Sequence, residues 1–209
     1  MTAVNKIPDI VIGRLPVYLR ALSQLVNDGK TVTSSHELGQ QLGISSAQIR
    51  KDLSHFGEFG KQGTGYHITH LYAQLKQILQ IDREWAVAVV GIGDLGRALA
   101  RYGGFSDRGF RVVAAFDSDP AKIGTDLDGL TIQSSTLIAD EVRAKNIKIA
   151  MIAVPAAHAQ AVCDELVRAG VRALLNYAPI TLNIPPYVHV QYIDPVAHLQ
   201  HMTYYLDMS

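Results

Sequence analysis

Three glycines in the second half of the chain have the spacing of a dinucleotide-binding loop. Gly91, Gly93 and Gly96 directly follow the apolar run Ala86–Val90 and precede a predicted helix over residues 97–102. The first glycine permits a sharp turn, the second lets a pyrophosphate approach the backbone, and the third lets helix and strand pack closely. The helix N-terminus would offer N–H groups and a partial positive charge to the phosphates. The residues predicted to form this phosphate loop are Gly91, Ile92, Gly93, Asp94, Leu95 and Gly96.

A carboxylate stands where the ribose of such a dinucleotide would lie. Asp117 ends the next apolar run, Val112–Phe116, and comes 21 residues after Gly96. Asp117 and Asp119 would both repel a 2′-phosphate, so the sequence favours NAD(H) over NADP(H). Asp94 fits this pattern poorly, because a carboxylate that pointed into the loop would weaken phosphate binding. The alternative is a strand–helix turn that binds no ligand.

The nicotinamide end of the ligand is predicted at two further strand ends. Val154 and Pro155 follow one apolar run, and Ala178 and Pro179 follow the next. Ligands bind at the carboxyl ends of the strands in such sheets. These four residues carry no charge, so the pocket would disfavour the cationic, oxidised ring and favour the neutral, reduced one. The alternative is that they are ordinary loop residues.

The first part of the chain has the pattern of a winged helix-turn-helix. Two serine-led capping boxes, over residues 34–37 and 45–48, open short helices that Gly43 separates. The glycine-rich stretch 57–65 predicts a tight hairpin, which would form the wing. On the second helix Ile49 and Leu53 would pack inward, and the opposite face would meet DNA. The predicted DNA-contacting residues are Ser46, Ala47, Gln48, Arg50, Lys51 and Ser54 on the helix and Lys61 and Gln62 at the hairpin tip. The alternative is a helical subdomain whose polar face is merely solvated.

Composition limits the class of protein that these motifs can belong to. The 209 residues are 48% hydrophobic and 18% charged, with 19 basic and 19 acidic residues, which excludes global disorder and a protein that coats nucleic acid nonspecifically. Cys163 is the single cysteine, which excludes a disulfide framework and a multi-cysteine metal site, and no metal site is expected. Without a long apolar run, no membrane span is expected either, and we expect a cytoplasmic location.

The predicted fold class is α/β, with an N-terminal winged helix-turn-helix domain, a Rossmann-like parallel-sheet domain and a C-terminal helix. The first helix is predicted from Leu15, Leu19, Leu22 and Val26, with Pro16 in its first turn. From about residue 84 apolar strand-like runs alternate with helical stretches, as in βαβ units. The predicted boundaries give a DNA-binding domain over residues 1–82, a nucleotide-binding domain over 83–193 and a terminal helix over 194–209.

Together these segments resemble the Rex family of redox-sensing transcriptional repressors, almost from end to end. The matching motifs include residues 46–60, the loop 91–96, the run 116–124, and residues 153–155 and 176–179. The resemblance implies a homodimer that binds a palindromic operator in its NAD⁺ or apo form and leaves it when NADH binds. It also implies a C-terminal helix that is exchanged between subunits; the apolar stripe on that helix could instead pack on its own chain. We hypothesise that Arg20, Tyr102 and Asp194 couple the nucleotide and DNA sites, and Tyr102 is also expected among the cofactor-binding residues. The departures from the family are Asp94 and His55.

Two rival functions remain open on the sequence. An NAD-dependent oxidoreductase would need a proton donor beside the nicotinamide, for which His158 is the candidate, and no Tyr-x-x-x-Lys pair occurs within residues 84–209. A module that binds CoA or another nucleotide is the second rival, because similar strand–glycine–helix turns serve those ligands. Cys163 lies in an apolar helix and is interpreted as a core residue.

Overall fold

The computed structural model describes residues 7–60 and 64–206. The chain divides into two compact units, Met1–Arg83 and Glu84–Ser209. Each unit has its own apolar core.

The first unit is a small helical domain with a two-stranded sheet. Its elements are α1 (Asp9–Asn27), β1 (Val32–Thr33), α2 (Ser35–Leu42), α3 (Ser46–Ser54), β2 (Tyr66–His67) and α4 (Ile68–Ile78). Its core joins α1, α3 and α4 through fully buried side chains such as Leu22, Ile49 and Leu75. The helix-turn-helix pattern is thus α2 and α3, supported from one side by α1.

Helix α1 begins earlier than the sequence indicated. The prediction put Pro16 in the first turn, but the helix starts at Asp9 and Pro16 lies inside its 19 residues. Val11 is buried one turn before Leu15, so the buried stripe extends toward the N-terminus. Pro16 is exposed, and water can serve the carbonyl that its missing N–H leaves without a partner.

Both capping boxes form only by half. The Oγ atoms of Ser34 and Ser45 accept hydrogen bonds from the N–H groups of Glu37 and Gln48, as predicted. The reciprocal bonds are not made, because the Glu37 and Gln48 side chains contact other residues. Helix α2 ends at Gly43, whose φ of 66° is the left-handed conformation that favours glycine at a helix end.

The predicted local hairpin in residues 57–65 is wrong within the described residues. Strand β2 pairs antiparallel with β1, which precedes the two helices, and residues 57–60 form no strand. Gly65 stands where the two strands meet, and a Cβ there would lie 2.5 Å from the Thr33 carbonyl oxygen. The glycines therefore serve a close approach to a distant strand. Lys61 and Gln62, the predicted hairpin tip, lie outside the described residues.

The second unit is a mostly parallel sheet flanked by helices. Its elements are β3 (Trp85–Val90), α5 (Asp94–Ala100), β4 (Phe110–Asp117), β5 (Asp126–Leu127), β6 (Leu130–Ser134), α6 (Ile138–Ala144), β7 (Ile149–Ile152), α7 (Ala156–Ala169), β8 (Ala173–Asn176), β9 (His189–Tyr192) and α8 (Pro195–Thr203). The strand order is β5-β6-β4-β3-β7-β8-β9, and only β5 runs antiparallel to its neighbour. This order agrees with the predicted Rossmann-like sheet.

The sequence analysis missed the hairpin of β5 and β6. Its two-residue turn is Asp128-Gly129, and both residues have positive φ, 54° and 87°. An Asp-Gly pair between apolar residues is a strong signal for such a turn, so this element was predictable. Helix α5 also differs from its prediction: it begins at Asp94 and ends at Ala100, because Tyr102 already opens a 3-10 helix over Gly103–Arg108.

The terminal helix α8 has no buried residue in the described chain. Val196, Leu199, Met202 and Leu206 are between 57 and 69% exposed. The alternative in which this stripe packs on its own chain is therefore wrong for the single chain. No helix among the described residues is long and apolar enough to cross a membrane.

Candidate functional site

The glycine loop connects β3 to α5 with very little space between them. A Cβ at Gly96 would lie 1.8 Å from the carbonyl oxygen of Gly91, so only glycine allows this contact of helix and strand. Gly91 has φ +92°, and a Cβ there would lie 2.6 Å from the carbonyl oxygen of Ala153. By contrast, a Cβ at Gly93 would meet no atom within 4 Å. The open side of the loop therefore lies at Gly93, where the sequence predicts the pyrophosphate.

The acidic residue of the phosphate loop points away from the fold. Asp94 is the first residue of α5 and is exposed, as is Leu95. The Ile92 side chain is fully buried, and its N–H is used within the protein. Of the predicted loop residues, Gly93, Asp94 and Leu95 are thus the exposed ones.

Asp117 ends β4 beside this loop, and most of its hydrogen-bonding capacity is already used. Its Oδ2 accepts from the Ile92 N–H at 2.8 Å and from Lys122 Nζ at 3.1 Å, and its Oδ1 accepts from the Asp119 N–H at 2.9 Å. A carboxylate offers about four acceptor positions, so Oδ1 keeps one. Burial would raise the pKa of Asp117, but these three donors outweigh it and hold the pKa below its ordinary value.

Lys122 is a residue that the sequence analysis did not assign. Its Nζ lies 3.1 Å from Asp117 Oδ2 and 3.9 Å from Asp119 Oδ2. One ammonium between two carboxylates leaves a net negative charge, which keeps the expected preference for NAD(H) but weakens it. Because the ion pair lies within five residues, an acidic pair followed by lysine in a loop could have indicated it.

The strand order brings the predicted cofactor residues to one edge of the sheet. Neighbouring parallel strands end together here: Val90 pairs with Phe116 and Ile152, and Ile152 pairs with Asn176. Asp117, the glycine loop, Val154 and Ala178 therefore follow one another along this edge, at the carboxyl ends of β4, β3, β7 and β8. Strands lie about 4.8 Å apart, so the row spans roughly 14 Å.

A cavity of about 230 Å³ lies at the β8 end of this row. Its lining residues are Asn176, Ala178, Pro179, Ile180, Thr181, Tyr192, Ile193 and Asp194. Ala178 and Pro179 of the predicted nicotinamide pocket line this cavity, and Asp194 adds one carboxylate at its edge. Two local hydrogen bonds maintain its shape: Asn176 Nδ2 donates to the Ala178 carbonyl, and Tyr192 OH accepts from the Leu182 N–H.

These residues fit a dinucleotide. The open cradle at Gly93 would hold the phosphates, and the remaining acceptor position on Asp117 Oδ1 would take a ribose hydroxyl. Val154 is half-buried, Ala178 is buried, and Pro155 and Pro179 are exposed at the other end of the row. Among residues 7–60 and 64–206 no cluster of three or more histidine, cysteine or acidic residues could hold a metal ion.

The predicted DNA-contacting face of α3 is open. Ala47, Arg50, Lys51 and Ser54 are exposed, and Ser46 and Gln48 are half-buried. On the other side of the helix Ile49 and Leu53 are buried, as their spacing predicted. Arg50 also donates a hydrogen bond from Nη1 to Ser35 Oγ on α2 at 3.0 Å, which links the two helices.

Asp52 on α3 is the residue of this unit that the sequence analysis missed. It is fully buried and forms an ion pair with Arg14 on α1, with Nε 2.5 Å from Oδ2. Burial would raise the pKa of Asp52, but hydrogen bonds from Arg14, Tyr18 and Gln48 hold it below its ordinary value. A signal existed in the spacing, because Asp52 lies three residues after buried Ile49 on the same helical face.

The hypothesised coupling residues occupy separate elements. Arg20 is exposed on α1, and Tyr102 is half-exposed, with its ring edge against Phe105 at 4.9 Å between centroids. Asp194 caps α8, since its Oδ1 accepts from the Val196 N–H. Their role in coupling stays a prediction.

Cys163 and His158 are not part of the candidate site. Cys163 lies in the core of the second unit, and burial raises the pKa of its thiol to about 11. His158 is exposed on α7. Cys163 is thus a core residue, as interpreted.

Family models match both units of the chain. A model described as "Putative DNA-binding protein N-terminus" matches residues 6–54, and a model described as "CoA binding domain" matches residues 82–180. The first covers α1 to α3, and the second covers the glycine loop and the strands up to β8.

Similar proteins match nearly the whole chain. The redox-sensing transcriptional repressor Rex of Roseiflexus sp. (strain RS-1) is 54% identical over 206 residues, which cover 99% of this chain and 94% of the relative. The protein of the same name from Chloroflexus aurantiacus (strain ATCC 29366 / DSM 635 / J-10-fl) is 55% identical over 95% of this chain and 94% of the relative.

Solved structures agree with these relatives. RSP in complex with β-NAD⁺ and operator DNA superposes with a TM-score of 0.92, at 34% identity, over 96% of this chain and 93% of that one. RSP in complex with β-NADH superposes with a TM-score of 0.89, at 31% identity, over 98% and 96%.

Proposed function

The chain belongs to the Rex family of redox-sensing transcriptional repressors, and from this we propose that it binds operator DNA through α3 and releases it when NADH occupies the edge of the sheet beside the glycine loop. The chain is a regulator and not an enzyme. The observation that carries the proposal is that one chain combines the exposed, capped helix α3 with a glycine loop at the edge of a parallel sheet. A protein similar over 96% of this chain was solved with β-NAD⁺ and operator DNA.

The DNA-binding step uses the exposed face of α3. Lys51 and Arg50 supply positive charge for phosphates, and Ala47 and Ser54 are small enough for the helix to enter the major groove. The family resemblance suggests a palindromic operator, so two copies of α3 must face successive grooves.

The partner is a second copy of this chain. The apolar stripe of α8 is largely exposed in the single chain, with Leu199 and Met202 each 61% exposed. Burying such a stripe against another subunit would remove it from water, at about 25 cal/mol per Å² of apolar surface. We propose that α8 is exchanged between the subunits of a homodimer, and that this dimer works in the cytoplasm, where its DNA is.

Redox sensing requires the nucleotide site to distinguish the two oxidation states. The bound dinucleotide carries a cationic ring when oxidised and a neutral ring when reduced. Val154, Pro155, Ala178 and Pro179 offer no counter-charge to the cation, which favours the reduced form. Asp194 reduces this preference for the reduced form, because its carboxylate would stabilise the cationic ring. The preference for NADH is thus a balance that this chain sets with its own residues.

The nucleotide must then bias two arrangements of the dimer. Moving such an equilibrium almost completely takes about 5.5 kcal/mol of differential binding. Each of the two nucleotide sites in a dimer would need to supply about half of this free energy. NADH would then bind the DNA-free arrangement roughly 100-fold more tightly than the DNA-binding arrangement at each site. We propose that Arg20, Tyr102 and Asp194 carry this bias between the sites, and Tyr102→Phe tests it: the variant should release DNA only at a higher NADH concentration than wild type, by a larger factor than any change in its NADH affinity.

The test is a mobility shift with the full chain. A duplex selected by the protein from a random pool, without nucleotide, is titrated with NADH and NAD⁺ in varied ratio at fixed salt, because phosphate contacts make affinity salt-dependent. NADH should release the DNA, and NAD⁺ should not.

CoA is the necessary control, because a CoA-binding domain model matches residues 82–180. The same titration with CoA should leave the complex intact. Release by CoA, or persistence of the complex under saturating NADH, would contradict the proposal.

A further inference from the structure

The carboxylate of Asp52 is saturated by hydrogen bonds inside the first unit. Arg14 donates from Nε to Oδ2 at 2.5 Å and from Nη2 to Oδ1 at 2.7 Å. Tyr18 OH donates to Oδ2 at 2.6 Å, and Gln48 Nε2 donates to Oδ1 at 2.7 Å. Each oxygen therefore accepts two bonds, which is the capacity of a carboxylate. Asp52 has no acceptor left for DNA and cannot be a contact residue itself.

This cluster links the recognition helix to the helix behind it. Arg14 and Tyr18 are one turn apart on α1, and Gln48 and Asp52 are one turn apart on α3. Apolar contacts such as those of Leu53 tolerate small shifts, whereas hydrogen bonds require distance and direction. A buried ion pair contributes little net stability over an apolar pair of the same shape, so fixing one geometry is the better account of its presence.

Gln48 connects the cluster to the exposed face of α3. Its side chain does not return to the cap of the helix, as a full capping box would require, but points along the helix to Asp52. Among the described residues no hydrogen bond is formed by its Oε1, and Nε2 uses one of its two hydrogens. Gln48 is half-buried, at the margin of the face that carries Ala47 and Lys51.

The orientation of this amide is fixed by charge. If the amide turned by 180°, Oε1 would face the carboxylate of Asp52, and two acceptors would repel each other. With Asp52 ionised, the free edge of Gln48 consists of one N–H and one carbonyl oxygen in a set order. That order matches adenine, which offers N7 as acceptor and N6–H as donor in the major groove.

We propose that Asp52 is a positioning residue for base recognition: it holds the Gln48 amide in the orientation in which Gln48 reads an adenine in each operator half-site. The inference rests on the proposed function, because it requires α3 to enter the major groove. Asp52 acts through Gln48 and does not touch the DNA.

The experiment measures the base preference of the full chain, without nucleotide. Dissociation constants are determined for the selected operator and for every single base-pair replacement in it, with wild type, Asp52→Asn, Gln48→Ala and the double variant. We expect wild type to lose about 10-fold or more in affinity when one particular adenine is replaced. Asp52→Asn and Gln48→Ala should each reduce that discrimination to about twofold, at the same position, and the double variant should reduce it no further.

Two control variants separate positioning from folding. Tyr18→Phe removes a hydrogen bond from Asp52 but leaves the bond to Gln48, so it should lower the unfolding midpoint and keep the base preference. Lys51→Ala should weaken binding to all operator variants by the same factor and lower the salt slope by about one. If Asp52→Asn does not fold, Gln48→Ala and Tyr18→Phe decide, because only the first should lose the adenine preference.

Three results would overturn the inference. In the first, Asp52→Asn lowers the affinity for all operator variants by the same factor, which would indicate a purely structural role for Asp52. In the second, the effects of Asp52→Asn and Gln48→Ala on the preference simply add. In the third, Gln48→Ala keeps the adenine preference. A wild-type protein that distinguishes no base pair at all would instead contradict the proposed function, so the two failures are distinguishable.

Discussion

Each unit of this protein has a buried aspartate at its functional element, and the two are used differently. Asp52 on the recognition helix is fully buried, with all four acceptor positions occupied. Asp117 at the end of β4 has a side chain that is 9% exposed, with one acceptor position left. The partners of Asp52 are side chains from α1 and α3, whereas two of the three donors to Asp117 are backbone N–H groups, those of Ile92 on the glycine loop and of Asp119 two residues on.

The difference separates a residue that shapes a site from one that can contact a ligand. A saturated carboxylate can only fix its neighbours, while a carboxylate with a free lone pair can also bind. Replacing the two aspartates should therefore have different consequences: loss of folding stability at Asp52 and loss of nucleotide affinity at Asp117.

Removing Asp52 should cost the most stability. Asp52→Ala leaves Arg14 and Tyr18 without their shared acceptor, and breaking a buried pair in this way costs about 3 kcal/mol or more. Urea unfolding of the full chain measures it by far-UV circular dichroism. Trp85, the single tryptophan, lies in the second unit, so the urea unfolding transition followed by its fluorescence should shift little. An equal loss of stability in the circular dichroism and fluorescence transitions, or no loss in either, would contradict a stabilising role of this cluster within the first unit alone.

Removing Asp117 should affect nucleotide binding more than stability. Asp117→Ala loses the acceptor for a ribose hydroxyl and the bond that fixes the Ile92 N–H. A hydrogen bond to a charged group contributes about 1.5–3 kcal/mol, so the NADH affinity should fall by about 10- to 100-fold. Fluorescence titration with NADH measures it.

Asp119→Ala is the matched control for this change. Asp119 is more exposed and its side chain accepts only from the Ala121 N–H at 3.0 Å, with Lys122 at 3.9 Å. Its replacement should lower NADH affinity by about twofold or less. An equal loss in both variants would show that general negative charge, and not the remaining acceptor of Asp117, matters here.

The acid sensitivity of stability should depend on both aspartates. Each has a folded pKa below its ordinary value, so its contribution is fully present above about pH 4 and is lost as pH falls through the folded pKa. The difference in unfolding free energy between wild type and Asp52→Asn should thus shrink below about pH 4. Unfolding curves at pH 7, 5, 4 and 3 measure it, and a constant difference over this range would argue against an ionised Asp52.

A small effect, confined to the oxidised nucleotide, is expected at Asp194. Asp194→Asn removes the only carboxylate among the residues that line the cavity beside Ala178, within the described chain. A unit charge at about 4 Å in water contributes about 1 kcal/mol, so NAD⁺ affinity should fall by at most about fivefold and NADH affinity should not. Competition between NAD⁺ and NADH measures the ratio. An equal loss of both nucleotides would place the ring elsewhere.

Local patterns were predicted from the sequence because their partners are close in the chain. The serine caps at Ser34 and Ser45, the glycine end of α2 and the glycine loop each depend on residues within about five positions. The hairpin at Asp128-Gly129 belongs to the same class and was missed although its signal was present. The predicted start of α1 is wrong because a proline favours the first turn of a helix, whereas Pro16 lies inside this one.

Contacts between distant segments were decided only by the tertiary structure. Strand β2 pairs with β1, about 34 residues earlier in the chain, and Asp52 contacts Arg14 across 38 residues. Asp194 likewise lines the cavity beside Ala178 because the fold brings the two segments together. The sequence alone determined the division into two units, the glycine loop and helix α3, because turns, caps and hydrophobic periodicity act over one or two turns of chain. Which charges are buried, and what holds them, depended on where the chain brings its remote parts together, since a charge is stabilised by whatever lies within hydrogen-bond distance of it in space.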